Sequence, residues 1–113
     1  MSETILYLGN VLAVRKLSQK KAFYFFTSIG NFTGRIATSL ESFLKEIRDV
    51  EAKSLEFHLE RKDFEKWIID VLRDTKLARE IRNLRNQKLT GKALRNSLYT
   101  TVSRRYKELA GKK

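Results

Sequence analysis

Between Ser54 and Val71 the spacing of apolar residues changes period, and no other feature of the chain restricts its fold as much. Leu55, Phe57 and Leu59 alternate with polar neighbours, which is strand spacing, and Phe64, Trp67, Ile68 and Val71 then recur at helical spacing. The direct reading is a strand over residues 54–60 that runs into a helix over 63–73. Asp63 stands at the switch, where a carboxylate can cap the free N–H groups of a first helical turn. In such a strand His58 would point with Glu56 and Glu60 away from the face of Leu55, Phe57 and Leu59.

The flanking segments supply the remaining elements. Phe23-Tyr24-Phe25-Phe26-Thr27 has the aromatic content of a strand with a buried face. Ser28 to Arg35, with glycines at 30 and 34, reads as a loop. Thr38 and Glu41 have capping-box spacing, and Leu40, Phe43, Leu44 and Ile47 line one side of a helix over 39–49. Strand, helix and strand in that order predict a crossover joining parallel strands. Asp74 caps a helix over 75–88 whose face is Leu77, Ala78, Ile81 and Leu84. Thr90 caps another over 91–109 with Leu94, Leu98, Val102 and Leu109. Residues 3–17 fit either a helix lined by Ile5, Leu8 and Leu12, the preferred reading, or a short hairpin turning at Gly9-Asn10.

The expected fold class is therefore α+β: a small parallel sheet of two or slightly more strands, packed by about four helices, with a helical C-terminal half. At 113 residues the chain suits one domain with its own core. It divides into an N-terminal segment (1–21), a main body (22–109) and a basic tail (110–113).

Several of these residues form an ordered motif set: F-Y-F-x-T (Phe23 to Thr27), G-x-x-T-G-x-x-A-T-S-L-x-x-F (Gly30 to Phe43), S-L-E-F-H-L-x-R-x-D-F-x-x-W-I (Ser54 to Ile68), D-x-x-L-A (Asp74 to Ala78) and L-R-x-x-L (Leu94 to Leu98). The set resembles an archaeal domain family of unknown function, over roughly residues 22–109. The resemblance implies an archaeal source and one compact domain, and it brings no activity with it.

Charge is the strongest compositional signal, and it is uneven. Residues 1–60 carry 8 Lys and Arg against 7 Asp and Glu, whereas residues 61–113 carry 16 against 6. A one-sided basic surface attracts polyanions, nucleic acid above all. Cysteine is absent, which removes disulfides, thiolate nucleophiles and cysteine-based metal sites together. The apolar run Ile5 to Val14 is broken by Gly9-Asn10 and has no cation ahead of it, so it matches neither a signal peptide nor a membrane span. A cytoplasmic protein without membrane contact is expected.

Three groups of residues are candidates for chemistry. Thr33, Gly34, Arg35, Thr38 and Ser39 lie between a strand and a helix start, a position suited to anions, although turn and capping roles explain the same residue types. His58, Arg61 and Asp63 form a polar cluster. A lone histidine is a poor metal signature, so a structural bond to the backbone or to Asp63 is the favoured role for His58. Trp67 reads first as core. The third group is a basic stripe on the last two helices: Arg79, Arg82, Arg85, Lys88, Lys92, Arg95, Arg104 and Lys107. Arg105 falls inside the apolar arc of the last helix and is expected to pair with an acid at the core edge.

These observations point to a non-enzymatic nucleic-acid-binding protein, with no catalytic residue, metal or cofactor, that acts through phosphate contacts of its C-terminal helices on DNA or RNA. Two alternatives stand beside it. The chain could serve as an accessory subunit docked onto a nucleoprotein machine such as a polymerase or ribosome, with a protein partner. It could also bind a small anion, or catalyse on it, with Arg35, His58 and Arg61, which requires those three side chains to converge.

Overall fold

The computed structural model of the protein describes residues 16–110. The choice between helix and hairpin for residues 3–17 lies outside the described residues, Lys16 and Leu17 apart, as does the end of the basic tail. A single 3-10 turn at Gln19–Lys21 leads into an antiparallel hairpin of β1 (Phe23–Ser28) and β2 (Asn31–Ala37). Five helices follow: α1 (Leu40–Asp49), α2 (Ala52–Glu60), α3 (Asp63–Trp67, continued by a π-helical turn through Ile68–Leu72), α4 (Thr75–Asn86) and α5 (Gly91–Ala110). The class is α+β, with a two-stranded sheet and a helical C-terminal half.

The sheet differs from expectation in its second strand. Residues 28–35 are not a loop: the chain turns at Ile29-Gly30 and pairs straight back on itself, so the strands are antiparallel rather than parallel. Gly30 takes φ +82 in that turn. Phe23 faces Ala37 and Tyr24 faces Ile36, but Phe26 faces Phe32, which leaves extra residues on β2. Gly34, at φ +88, sits in this bulge. Thr33 secures it, its hydroxyl donating to the Phe25 carbonyl at 2.8 Å and accepting from the Arg35 N–H at 3.1 Å. The two glycines that resemble loop residues are therefore a turn and a bulge inside one hairpin.

Residues 54–60, expected as a strand, belong to helix α2. The buried positions there are Ser54, Leu55, His58 and Leu59, whose i, i+3, i+4 spacing is helical, while Phe57 is only half-buried. Alternation of Leu55, Phe57 and Leu59 matched both periods over so short a span, and the choice fell to packing against β1 and α5. His58 accordingly shares the buried face with Leu55 and Leu59 instead of opposing it.

Helix starts follow side-chain chemistry. Ser39, rather than Thr38, caps α1: its hydroxyl accepts from the Ser42 N–H, and the Ser42 hydroxyl in turn accepts from the Ser39 N–H. Asp74 caps α4 by accepting from the Leu77 N–H at 3.0 Å, as its position predicts. At α3 the capping position is held by Lys62 at φ +69, and Asp63 is the first helical residue, its carboxylate directed elsewhere. The start of α5 is served from outside, by Glu56 accepting from the Gly91 N–H at 2.8 Å.

The core is aromatic on the hairpin side. Phe23, Phe25, Phe43, Phe64 and Trp67 meet with ring centroids 4.9–6.3 Å apart, in edge, tilted and stacked contacts. Trp67 is buried, and its indole N–H donates to the Lys21 carbonyl at 2.8 Å, tying α3 to the start of β1. On the far side aliphatic residues of α4 and α5, Leu77, Ile81, Leu94 and Leu98 among them, complete the core.

Candidate nucleic-acid interface and aromatic cleft

Every acid in the basic half is paired within that half. Asp63 accepts from Arg61 at 3.0 Å, and Glu65 from Arg85 at 2.7 Å. Asp70 pairs with Lys66 at 3.6 Å, Asp74 with Arg105 at 2.8 Å, and Glu80 with Arg104 at 3.9 Å. Glu108 takes both Arg105 at 2.9 Å and Lys76 at 3.2 Å, and those two bonds hold its carboxyl below the usual range. Arg105 thus sits where the apolar arc of α5 requires a partner, on the buried cap Asp74.

The eight residues of the basic stripe separate into two sets. Arg85 is hydrogen-bonded to Glu65, and Arg104, half-exposed, faces Glu80 at 3.9 Å as an ion pair without a hydrogen bond. Arg95 reaches back across the core to the carbonyls of Ile47, Arg48 and Val50, at 2.9, 3.1 and 2.6 Å, and so closes the C-terminal end of α1. Arg79, Arg82, Lys88, Lys92 and Lys107 are exposed and have no acid partner among the described residues. Arg79 and Arg82 are on the side of α4 opposite Leu77, Ile81 and Leu84. Lys88 and Lys92 flank the connection from α4 to α5. Lys107 is near the other end of α5, roughly 22 Å from Lys92 along the helix axis. Helix α4 itself carries no aromatic residue. Tyr99 packs beneath Arg48, whose guanidinium lies 5.4 Å from the ring centroid.

The residues considered for an anion are dispersed. Thr33, Gly34 and Arg35 are on β2, Arg35 is paired with Glu46 of α1 at 2.9 Å, and Ser39 is engaged with Ser42. The Thr38 N–H likewise donates to the Ser42 hydroxyl. The Ser39 and Ser42 hydroxyls thus take up the N–H groups of Thr38, Ser39 and Ser42 at this helix start.

His58, Arg61 and Asp63 do come together, at a cleft of about 310 Å³ between β1 and the α2–α3 turn. Its walls are Phe23, Tyr24, Phe26 and Phe57, with Ile29 and Gly30 at the hairpin tip. Both histidine nitrogens are used. Nε2 accepts from the Phe26 N–H at 2.8 Å and Nδ1 lies 2.8 Å from Asp63 Oδ2, an arrangement that requires the neutral ring with its proton on Nδ1. Burial lowers the His58 pKa, against the opposing pull of Asp63. Arg35 does not line the cleft, so the three side chains proposed for anion chemistry do not converge. Sequence spacing does not reveal the aromatic walls, because Phe57 fits a strand as well as a helix and only the helical alternative brings it beside Tyr24 and Phe26.

Among the described residues no group of three or more His, Cys, Asp or Glu is placed to hold a metal, and no helix is long and apolar enough to cross a membrane. Comparison with known proteins gives a match of residues 7–103 to the model of a family of unknown function, DUF5752. No curated protein and no solved structure matches.

Proposed function

Because the chain belongs to this family of unknown function, its role has to be argued from its own geometry, and we propose that it binds nucleic acid through the outward face of α4 and the α4–α5 connection. The observation that carries this reading is the complete internal pairing of the six acids after Glu60, which leaves Arg79, Arg82, Lys88 and Lys92 without a neutralising neighbour. Lys107 extends the field at the far end of α5. Unneutralised cations on rigid helices displace counterions from a phosphate backbone, and that release drives association. On a helix that carries no aromatic residue, they read charge and spacing rather than bases. An archaeal source belongs to the same proposal, and a place as an accessory subunit of a larger nucleoprotein machine stands as the alternative to it.

The test is fluorescence anisotropy with duplex DNA, single-stranded DNA and RNA over a series of salt concentrations. Four to five phosphate contacts predict a log–log slope near about −4 on duplex DNA. Replacing Arg79 and Arg82 by Glu should reduce that slope by about 2, whereas Arg95→Gln should leave it unchanged. Absence of binding to all three ligands at about 50 mM salt overturns the proposal.

A further inference from the structure

The cleft beside β1 is distant in kind from the basic face: its walls are rings, and its volume of about 310 Å³ is at the lower end of the range that encloses small organic molecules. Tyr24 and Ile29, 39% and 76% exposed, leave an apolar lip at its mouth, larger than a solvated hairpin requires. Arg61 supplies the cationic group of the wall. Its Nε donates to Asp63 and its guanidinium carbon lies 5.1 Å from the Phe57 centroid, so two contacts fix the plane of the group. The terminal nitrogens make no hydrogen bond among the described residues.

Most other polar atoms of the wall are committed: the Tyr24 hydroxyl donates to the Gln19 carbonyl and Ser28 Oγ accepts from Asn31, whereas Asp63 Oδ1 has no hydrogen-bond partner among the described residues. Asp63 Oδ2 takes both the Nδ1–H of His58 and the Nε–H of Arg61, and His58 Nε2 is closed by the Phe26 N–H. His58 has no lone pair left for a proton and therefore supports Arg61 instead of acting as a base. Glu56 and Glu60 line a separate depression on the other side of Arg61 and do not border the cleft. What remains for a ligand, beside Asp63 Oδ1, is a planar fork of donors at the edge of an aromatic pocket, in a chain of net charge +11. A carboxylate matches a guanidinium fork in two parallel hydrogen bonds, here on a half-exposed arginine with apolar walls beside it for the body of the ligand.

We propose that this cleft binds a small carboxylate with an aromatic body, the ring held among Tyr24, Phe26 and Phe57 and the carboxylate on the terminal nitrogens of Arg61. The measurement is an amide-shift NMR titration of the full chain with phenylacetate and, separately, with the uncharged phenylacetamide. Phenylacetate should shift the amides of Phe26, Gly30, Phe57 and Arg61, and should bind about tenfold more tightly than the amide. Arg61→Gln should erase that difference. Arg61→Lys, which keeps the charge and an ion pair for Asp63 but not the fork, should fall between, and it serves if the Gln variant does not fold. The Arg79→Glu, Arg82→Glu double variant should bind phenylacetate as the wild type does. Equal affinities for the two probes, shifts confined to α4 and α5, or no shift up to about 10 mM would each overturn the assignment.

Discussion

His58 fastens β1 to α2 and α3, and its protonation offers a direct test of the packing. The neutral ring accepts from the Phe26 N–H while donating to Asp63, so adding a proton at Nε2 sets two N–H groups against each other. Burial also disfavours the charged ring and lowers its pKa below 6.5. The unfolded chain therefore takes up the proton first as pH falls. Stability is complete above about pH 6.5, declines by up to about 1.4 kcal/mol per pH unit below it, and levels off beneath the native pKa. Replacing His58 by Phe keeps a ring among Phe23 and Phe64, 4.8 and 5.6 Å away, but strands the Phe26 N–H. Asp63 retains Arg61, so the expected cost is about 2 kcal/mol, mostly from that one donor. For a domain of this size it corresponds to roughly 10 °C in Tm. Urea unfolding followed by the fluorescence of Trp67, the single and buried tryptophan, measures both effects. Constant wild-type stability between about pH 7.5 and 5, or an identical slope in His58→Phe, refutes the reasoning.

Other consequences can be checked by the same unfolding assay. Arg105→Met leaves the buried Asp74 carboxylate without its cation and should cost about 2–3 kcal/mol, less than a fully buried pair because Arg105 is partly in water. Arg95→Ala removes the donor to three carbonyls at the end of α1 and should cost about 2 kcal/mol, with nucleic-acid affinity unchanged if the proposed interface is right. Arg73, at φ +58 after the π-helical turn, is in a conformation that favours glycine, so Arg73→Gly should raise stability by up to about 1 kcal/mol. No gain would mean that the arginine side chain compensates for its backbone there.

The helices with clear caps and long periodic faces were legible from residues alone. Asp74 with Leu77 and Ile81, or Leu94 with Leu98 and Val102, admit one period and one start. The pairing of Arg105 was legible for the same reason, since a charge inside an apolar arc has to find a partner. The hairpin was not, because Gly30 and Gly34 serve equally in a loop and in a turn with a bulge, and only the partner strand distinguishes these. Asp63 fits a cap on local grounds, but its carboxylate bonds His58 and Arg61 instead.

What the sequence alone determined is the α+β class, the aromatic character of β1, the position of α1, α4 and α5, and the concentration of positive charge after Glu60, all of them set by neighbours within a few residues. Tertiary structure decided whether 54–60 is a strand or a helix, because seven residues of alternating pattern satisfy both periods until packing selects the face that is buried. It also decided which cations are free. Arg85, Arg95 and Arg104 look like Arg79 and Arg82 along the chain, yet each is joined to a group 20 to 48 residues distant, or across two helices, that no local pattern can reveal.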